Sequence, residues 1–197
     1  MKKGITIGII IDSVVICLGL ASPLFYDVEV NESLPVALDN MQKGLTLEKF
    51  VGMDDESRVV LVDSMPEKIK EMIMDETAKK QSVANEEMDT TNEIKILKSG
   101  EFIGLAGHFA EGDAKILQVG EEQFLRFENF EVTNGPDLRV YITQGGDVKQ
   151  GIHLEKLKGS KGAQNYLLEN IDTNVYDTVV IYCQPFGVYF GEAQLVI

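Results

Sequence analysis

With 197 residues, 32 of them acidic and 18 basic, the chain carries a formal net charge of −14. Nucleic acids and anionic lipids are held by basic surfaces, so this balance argues against either as a ligand. Two histidines and two cysteines are the entire soft-ligand supply, too few for metal cages of the usual kinds.

The N-terminus sets the compartment. Met1-Lys2-Lys3 precedes a mostly apolar run from Gly4 to Tyr26, and Asp27 and Glu29 follow it. About 20 such residues cross a ~30 Å hydrocarbon layer as a helix, and the two lysines favour a cytoplasmic N-terminus. Residues 1–26 are therefore expected to hold the chain at the cell membrane through a single pass over residues 4–26, with everything after it extracytoplasmic. Asp12, near the middle of the run, costs roughly 2.5 to 3.5 kcal/mol on insertion scales, which the surrounding isoleucines, valines and leucines offset. Gly19-Leu20-Ala21 is the competing reading, a secretory cleavage site weakened by the Ser22-Pro23 that follows.

Residues 27–93 hold 17 acidic and 7 basic side chains and read as an acidic, partly helical spacer. The clearest helix signal is Ser64-Met65-Pro66-Glu67: an N-cap serine, an early proline and a capping-box glutamate, predicting a helix through IKEMIMDETAKK. Ile69, Met72, Ile73 and Glu76 fall at three-and-four spacing, which offers one apolar stripe to a neighbour. A weaker helix is expected from Pro35 to Phe50. Six methionines between Met41 and Met88 suit Cu(I), but no Met-rich repeat or histidine cluster accompanies them, so helix packing is their role. Residues 81–93 are polar and acidic and read as a flexible linker. Asn31-Glu32-Ser33 is a glycosylation sequon.

From Ile94 the texture changes to short alternating runs punctuated by glycine, the pattern of an antiparallel β domain. In LRVYIT, Leu138, Val140 and Ile142 face one way while Arg139, Tyr141 and Thr143 face the other. In FLRFENFEV, Phe130 and Val132 are one step out of phase with Leu125 and Phe127, so a bulge near Glu128-Asn129 is expected. Asn134-Gly135-Pro136-Asp137 supplies the turn between these two strands, with Asp137 expected to cap it. Val179, Ile181 and Cys183 alternate inward until Gln184-Pro185-Phe186-Gly187 interrupts the strand. Ala193, Leu195 and Ile197 then need a one-residue slip that Gly191 can provide. Residues 94–197 are thus expected to be an all-β, antiparallel β-sandwich of about seven or eight strands.

Phosphate-binding, dinucleotide-binding and His-Glu-x-x-His signatures are absent. A Cys-His hydrolase would need Cys183 activated by His108 or His153, and nothing local marks such an arrangement. Cys17, the other cysteine, sits in the apolar run, where it cannot meet the short distances a disulfide to Cys183 requires. Cys183 is left as inert packing, an intermolecular bridge or a working thiol. An inward-facing thiol has a raised pKa and is a poor nucleophile.

The run GEFIGLAGH, His108 followed four residues later by Gly112, the Asn129-Phe130 pair and Asn134-Gly135-Pro136-Asp137 come in one order. Leu157-Lys158-Gly159, Gly162-x-Gln164-Asn165-Tyr166 and Cys183 complete it. In order and spacing, Ser99 to Ile197 resembles the electron-transfer DM13 domain family. The resemblance implies an extracytoplasmic β-sandwich, associated with DOMON or b-type cytochrome modules and with redox reactions. The family's cysteine falls on Cys183, implying a redox thiol or a ligand to a prosthetic group such as haem. His108 is the accompanying cofactor-binding candidate, against a plainer reading as a strand-end residue bonded to a backbone carbonyl.

Two functions compete. The leading one is a membrane-anchored redox or electron-transfer module, centred on Cys183 and served by a redox partner protein. The other is a binding module, with Cys183 as core packing and loops such as 143–151 presented to another surface protein.

Overall fold

The computed structural model describes residues 32–88 and 93–197. The apolar run 4–26 and Asn31 of the sequon lie outside them. Among the described residues no helix is long and apolar enough to cross a membrane.

Among the described residues nine strands form two antiparallel sheets. The first is ordered β1 (Ile94–Glu101), β3 (Ala110–Val119), β4 (Glu122–Val132) and β7 (Lys161–Leu167). The second is ordered β2 (Ile103–Gly104), β9 (Val188–Gln194), β8 (Thr178–Cys183), β5 (Leu138–Thr143) and β6 (Gly151–Lys156). The two-residue β2, which pairs with β9 at Gly191 and Glu192, brings the number above the expected seven or eight.

Alternation builds the core, as the pleat requires. Ala114, Ile116, Leu125, Phe127, Phe130 and Tyr166 from one sheet share an apolar cluster with Leu138, Val140, Ile142, Val179, Ile181, Cys183 and Phe190 from the other. This is the sandwich arrangement. The out-of-phase row on β4 is resolved where the sequence places it: register shifts between Phe127 and Phe130, and Asn129 adopts φ +51°. Opposite it Gly112 has φ +106°, and a Cβ there would lie 2.6 Å from the Phe130 Cα. The slip near Gly191 is also present, since Ile181 pairs with Gly191 but Tyr182 with Tyr189.

Among the described residues four helices precede the sheets: α1 (Leu34–Met41), α2 (Leu47–Val51), α3 (Asp55–Asp63) and α4 (Glu67–Ala78). The helix expected over Pro35–Phe50 is two helices, separated by a turn in which Gly44 takes φ +78°. The expected serine cap on α4 is not formed: Pro66 is its N-cap and no side chain caps it. Ser64 instead ends α3, where its hydroxyl donates to the Leu61 carbonyl. The apolar stripe of α4 is used, with Ile73 fully buried and Ile69 and Met72 packed beside it. Leu34, Leu38, Leu45, Phe50, Val62, Met65 and Ile73 close a second apolar cluster.

Residues 82–87, within the segment read as a linker, run along β7. Ala84 and Glu86 donate backbone N–H groups to the carbonyls of Lys161 and Ala163. Lys158 and Arg126 reach the same stretch, at the Glu86 carboxylate and carbonyl. These bonds cover what would otherwise be an open sheet edge.

Candidate functional site at Cys183

β8 seats Cys183 between Leu138 on β5 and Val188 on β9. The residue is 0% exposed, the last member of the inward row. A tight turn follows, closed by the Gly187 N–H donating to the Cys183 carbonyl at 2.9 Å, with Gly187 at φ +67°. The Gln184 N–H donates to the Asp137 carbonyl at 3.0 Å, tying this turn to the one before β5. The thiol sulfur accepts from the backbone N–H groups of Phe186 and Asp137. Burial pushes its pKa up to about 12 and the Asp137 charge adds to the rise, with those two amides and the Arg58 charge pulling the other way. At rest the group is a protonated thiol.

Phe186, in the turn, packs against both apolar clusters. Its ring lies 5.9 Å from that of Phe50, inclined by 20°. The helices thus meet the sandwich at the cysteine end.

A buried charge network lies at the same place. Asp137 Oδ2 accepts from Arg58 Nη2 at 2.5 Å and from Arg139 Nη2 at 2.9 Å, with Lys156 Nζ 3.6 Å away. Arg58, only 1% exposed, also donates to Asp55 Oδ1 at 2.7 Å and to the Val51 carbonyl. Arg139 shares Asp55 at 2.6 Å, while its Nε is buried without a partner. These two arginines hold the Asp55 carboxyl down to about 2, the bond to Arg139 being the larger cause. Burial opposes the Arg139 charge, and its bonds to Asp55 and Asp137 outweigh it and raise its pKa. Asp137 was expected to cap its own turn; its carboxylate is directed instead at α3. Nothing local in the sequence announces Arg58, whose partner is 79 positions away.

The Gly162-to-Tyr166 motif has a structural task. Gln164, fully buried, accepts from the Tyr166 hydroxyl at 2.7 Å and from the N–H groups of Lys158 and Gly159, and donates to the Gly159 carbonyl. The loop before β7 is thereby fixed.

His108 lies in the turn between β2 and β3, half-buried, with its ring stacked on Phe190 at 3.7 Å and 6°. Burial lowers its pKa, so the imidazole is neutral at pH 7. Phe190 belongs to the same core cluster as Cys183. His153 is exposed on β6 and packs on Tyr141 at 5.2 Å. It opens a row of rings across the outer face of the second sheet, Tyr141 to Tyr182 at 5.9 Å and Tyr182 to Tyr189 at 5.1 Å. The Tyr141 hydroxyl donates to Gln184 Oε1 at 2.9 Å, beside the cysteine.

These residues do not fit haem. Cys183 is enclosed by core side chains and its sulfur already faces two amides. A cavity lined by Asp137 and Leu138, next to it, holds about 190 Å³, below the roughly 300 Å³ at which sites for drug-sized ligands begin. His108 has one ring face closed by Phe190.

The family whose model matches the chain is described as Electron transfer DM13, and the match covers residues 101–195. No curated protein and no solved structure matches it.

Proposed function

Residues 101–195 belong to the electron transfer DM13 family, and from that premise we propose a redox module held at the membrane by residues 4–26, its sandwich outside the cytoplasm and Cys183 its working thiol. The observation that carries the thiol assignment is the pair of amides aimed at its sulfur. The two N–H donors favour a thiolate over a thiol once solvent reaches the group, while the nearby charges of Asp137 and Arg58 oppose one another. Oxidation by a peroxide is then ordinary chemistry: the thiolate sulfur attacks one peroxide oxygen with its electron pair, the O–O bond breaks, hydroxide leaves and a sulfenic acid remains. A partner dithiol returns the electrons, releasing water. The neutral His108 is not needed for either step.

The test is sulfenic acid trapping. The full chain is treated with peroxide and dimedone, and the adduct is located by mass spectrometry. An adduct on Cys183 that disappears in Cys183→Ser supports the reading; a folded protein that gives none sinks it.

A second reading has its own support. Complete burial and a pKa near 12 suit an inert core thiol, in a sandwich that works by binding another protein. Absence of the adduct, with partner binding kept in Cys183→Ser, would establish it. For the anchor, protease added outside intact cells should remove residues 94–197; protection of that region overturns the topology.

A further inference from the structure

The two turns beside Cys183 are joined to parts of the chain that do not belong to the sandwich. Phe186, three residues after it, is shared between the sandwich core and the helical cluster and stacks on Phe50 of α2. Asp137, whose N–H faces the sulfur and whose carbonyl holds Gln184, carries on its carboxylate the buried guanidinium of Arg58 from α3. So the ring shared by the two clusters and the ion pair that fastens the helices act on one pair of turns. Ladder pairing ends at Cys183 with its partners Leu138 and Val188.

We propose that the helical layer is a gate: Phe186 plugs the cysteine end of the sandwich, the Arg58–Asp137 pair latches the helices over it, and release of that latch exposes Cys183 without unfolding the sheets. The gate rests on Cys183 as the working thiol for its purpose, though not for its geometry. It accounts for a redox group that is fully buried at rest. Local openings of this kind draw on the contacts that break, not on global stability.

Alkylation by N-ethylmaleimide measures the opening directly. The full chain carrying Cys17→Ser has one thiol, and its labelling rate is followed by mass spectrometry in urea below the unfolding transition. A gate predicts slow labelling that rises only weakly with urea. A rate that climbs in parallel with global unfolding overturns the proposal, and this measurement needs no variant to fold. Phe186→Ala and Arg58→Met should then speed labelling at least tenfold more than Ile116→Ala, a core truncation on β3 in the other sheet, at matched stability. Equal acceleration by all three also overturns it. Fast gated labelling without a sulfenic adduct rejects the redox reading and leaves the gate standing. An adduct whose formation parallels unfolding rejects the gate alone.

Discussion

Asp137→Ala removes the common acceptor of the buried network and leaves Arg58, 1% exposed, with less compensation. Deleting one member of a buried pair costs about 3 to 5 kcal/mol, because the remaining charge stays desolvated. Here the value belongs at the low end, about 3 kcal/mol, since Arg58 keeps Asp55 at 2.7 Å and the Val51 carbonyl. Set against a typical total of about 5 to 15 kcal/mol, that loss is large. Urea unfolding of the full chain, followed by tryptophan-independent circular dichroism, reads it as a lower midpoint at unchanged slope. Adding Arg58→Met to Asp137→Leu should recover about 1 to 2 kcal/mol relative to the sum of the single changes, because no unpaired charge then remains between those two positions. A loss below about 1 kcal/mol for Asp137→Ala, the range of an exposed pair, would refute the network as the fastening of helices to sandwich.

Acid should weaken the same junction with a defined sign. Asp55 is about 2 in the folded protein and near 3.9 unfolded, so its contribution is complete above about pH 4 and lost as pH falls toward 2; its side chain is 48% exposed, so screening leaves about 1 kcal/mol, which Asp55→Asn should remove from the acid limb of a stability–pH curve. Gly112→Ala should destabilise far more than Gly107→Ala in thermal melts, because both have positive φ but only at Gly112 does the added Cβ meet backbone; equal losses would contradict the bulge geometry. Tyr166→Phe should cost about 1 to 3 kcal/mol in urea melts, since its hydroxyl is one of the few partners of the buried Gln164.

The sandwich was legible because alternation is a local signal. Two rows out of phase on one strand demanded the bulge at Glu128-Asn129, and turn clusters at residues 134–137 and 184–187 marked two of the strand ends. The helical layer was harder to read. α2 has five residues and α3 nine, too short for periodicity to stand out against an acidic background, and their stability comes from packing rather than propensity. The serine expected to cap α4 was claimed by α3, because two helices compete for the same short connection. The partnership of Arg58 and Asp137 could not be read at all, since ion pairs that join distant segments leave no spacing behind.

Cys183 itself tests whether sulfur is required as an acceptor. Packing alone would accept any small apolar side chain at this position, and alanine or valine would fill a core row beside Val179 and Ile181. The amides of Phe186 and Asp137 make a different demand, because both face the sulfur, and an apolar replacement leaves them buried without an acceptor. Each such loss costs about 1 to 3 kcal/mol at full strength, less here because sulfur is a weak acceptor to begin with. Serine keeps a lone pair at nearly the same place but brings a hydroxyl into an apolar row, a cost of similar size. If the amides matter, the loss of an acceptor for two of them outweighs the cost of one hydroxyl, and Cys183→Ser should be more stable than Cys183→Ala by about 1 kcal/mol in urea. If Cys183→Ala equals or exceeds Cys183→Ser, the amides do not need an acceptor, and the argument that this end of the sandwich is arranged around a thiolate fails with them.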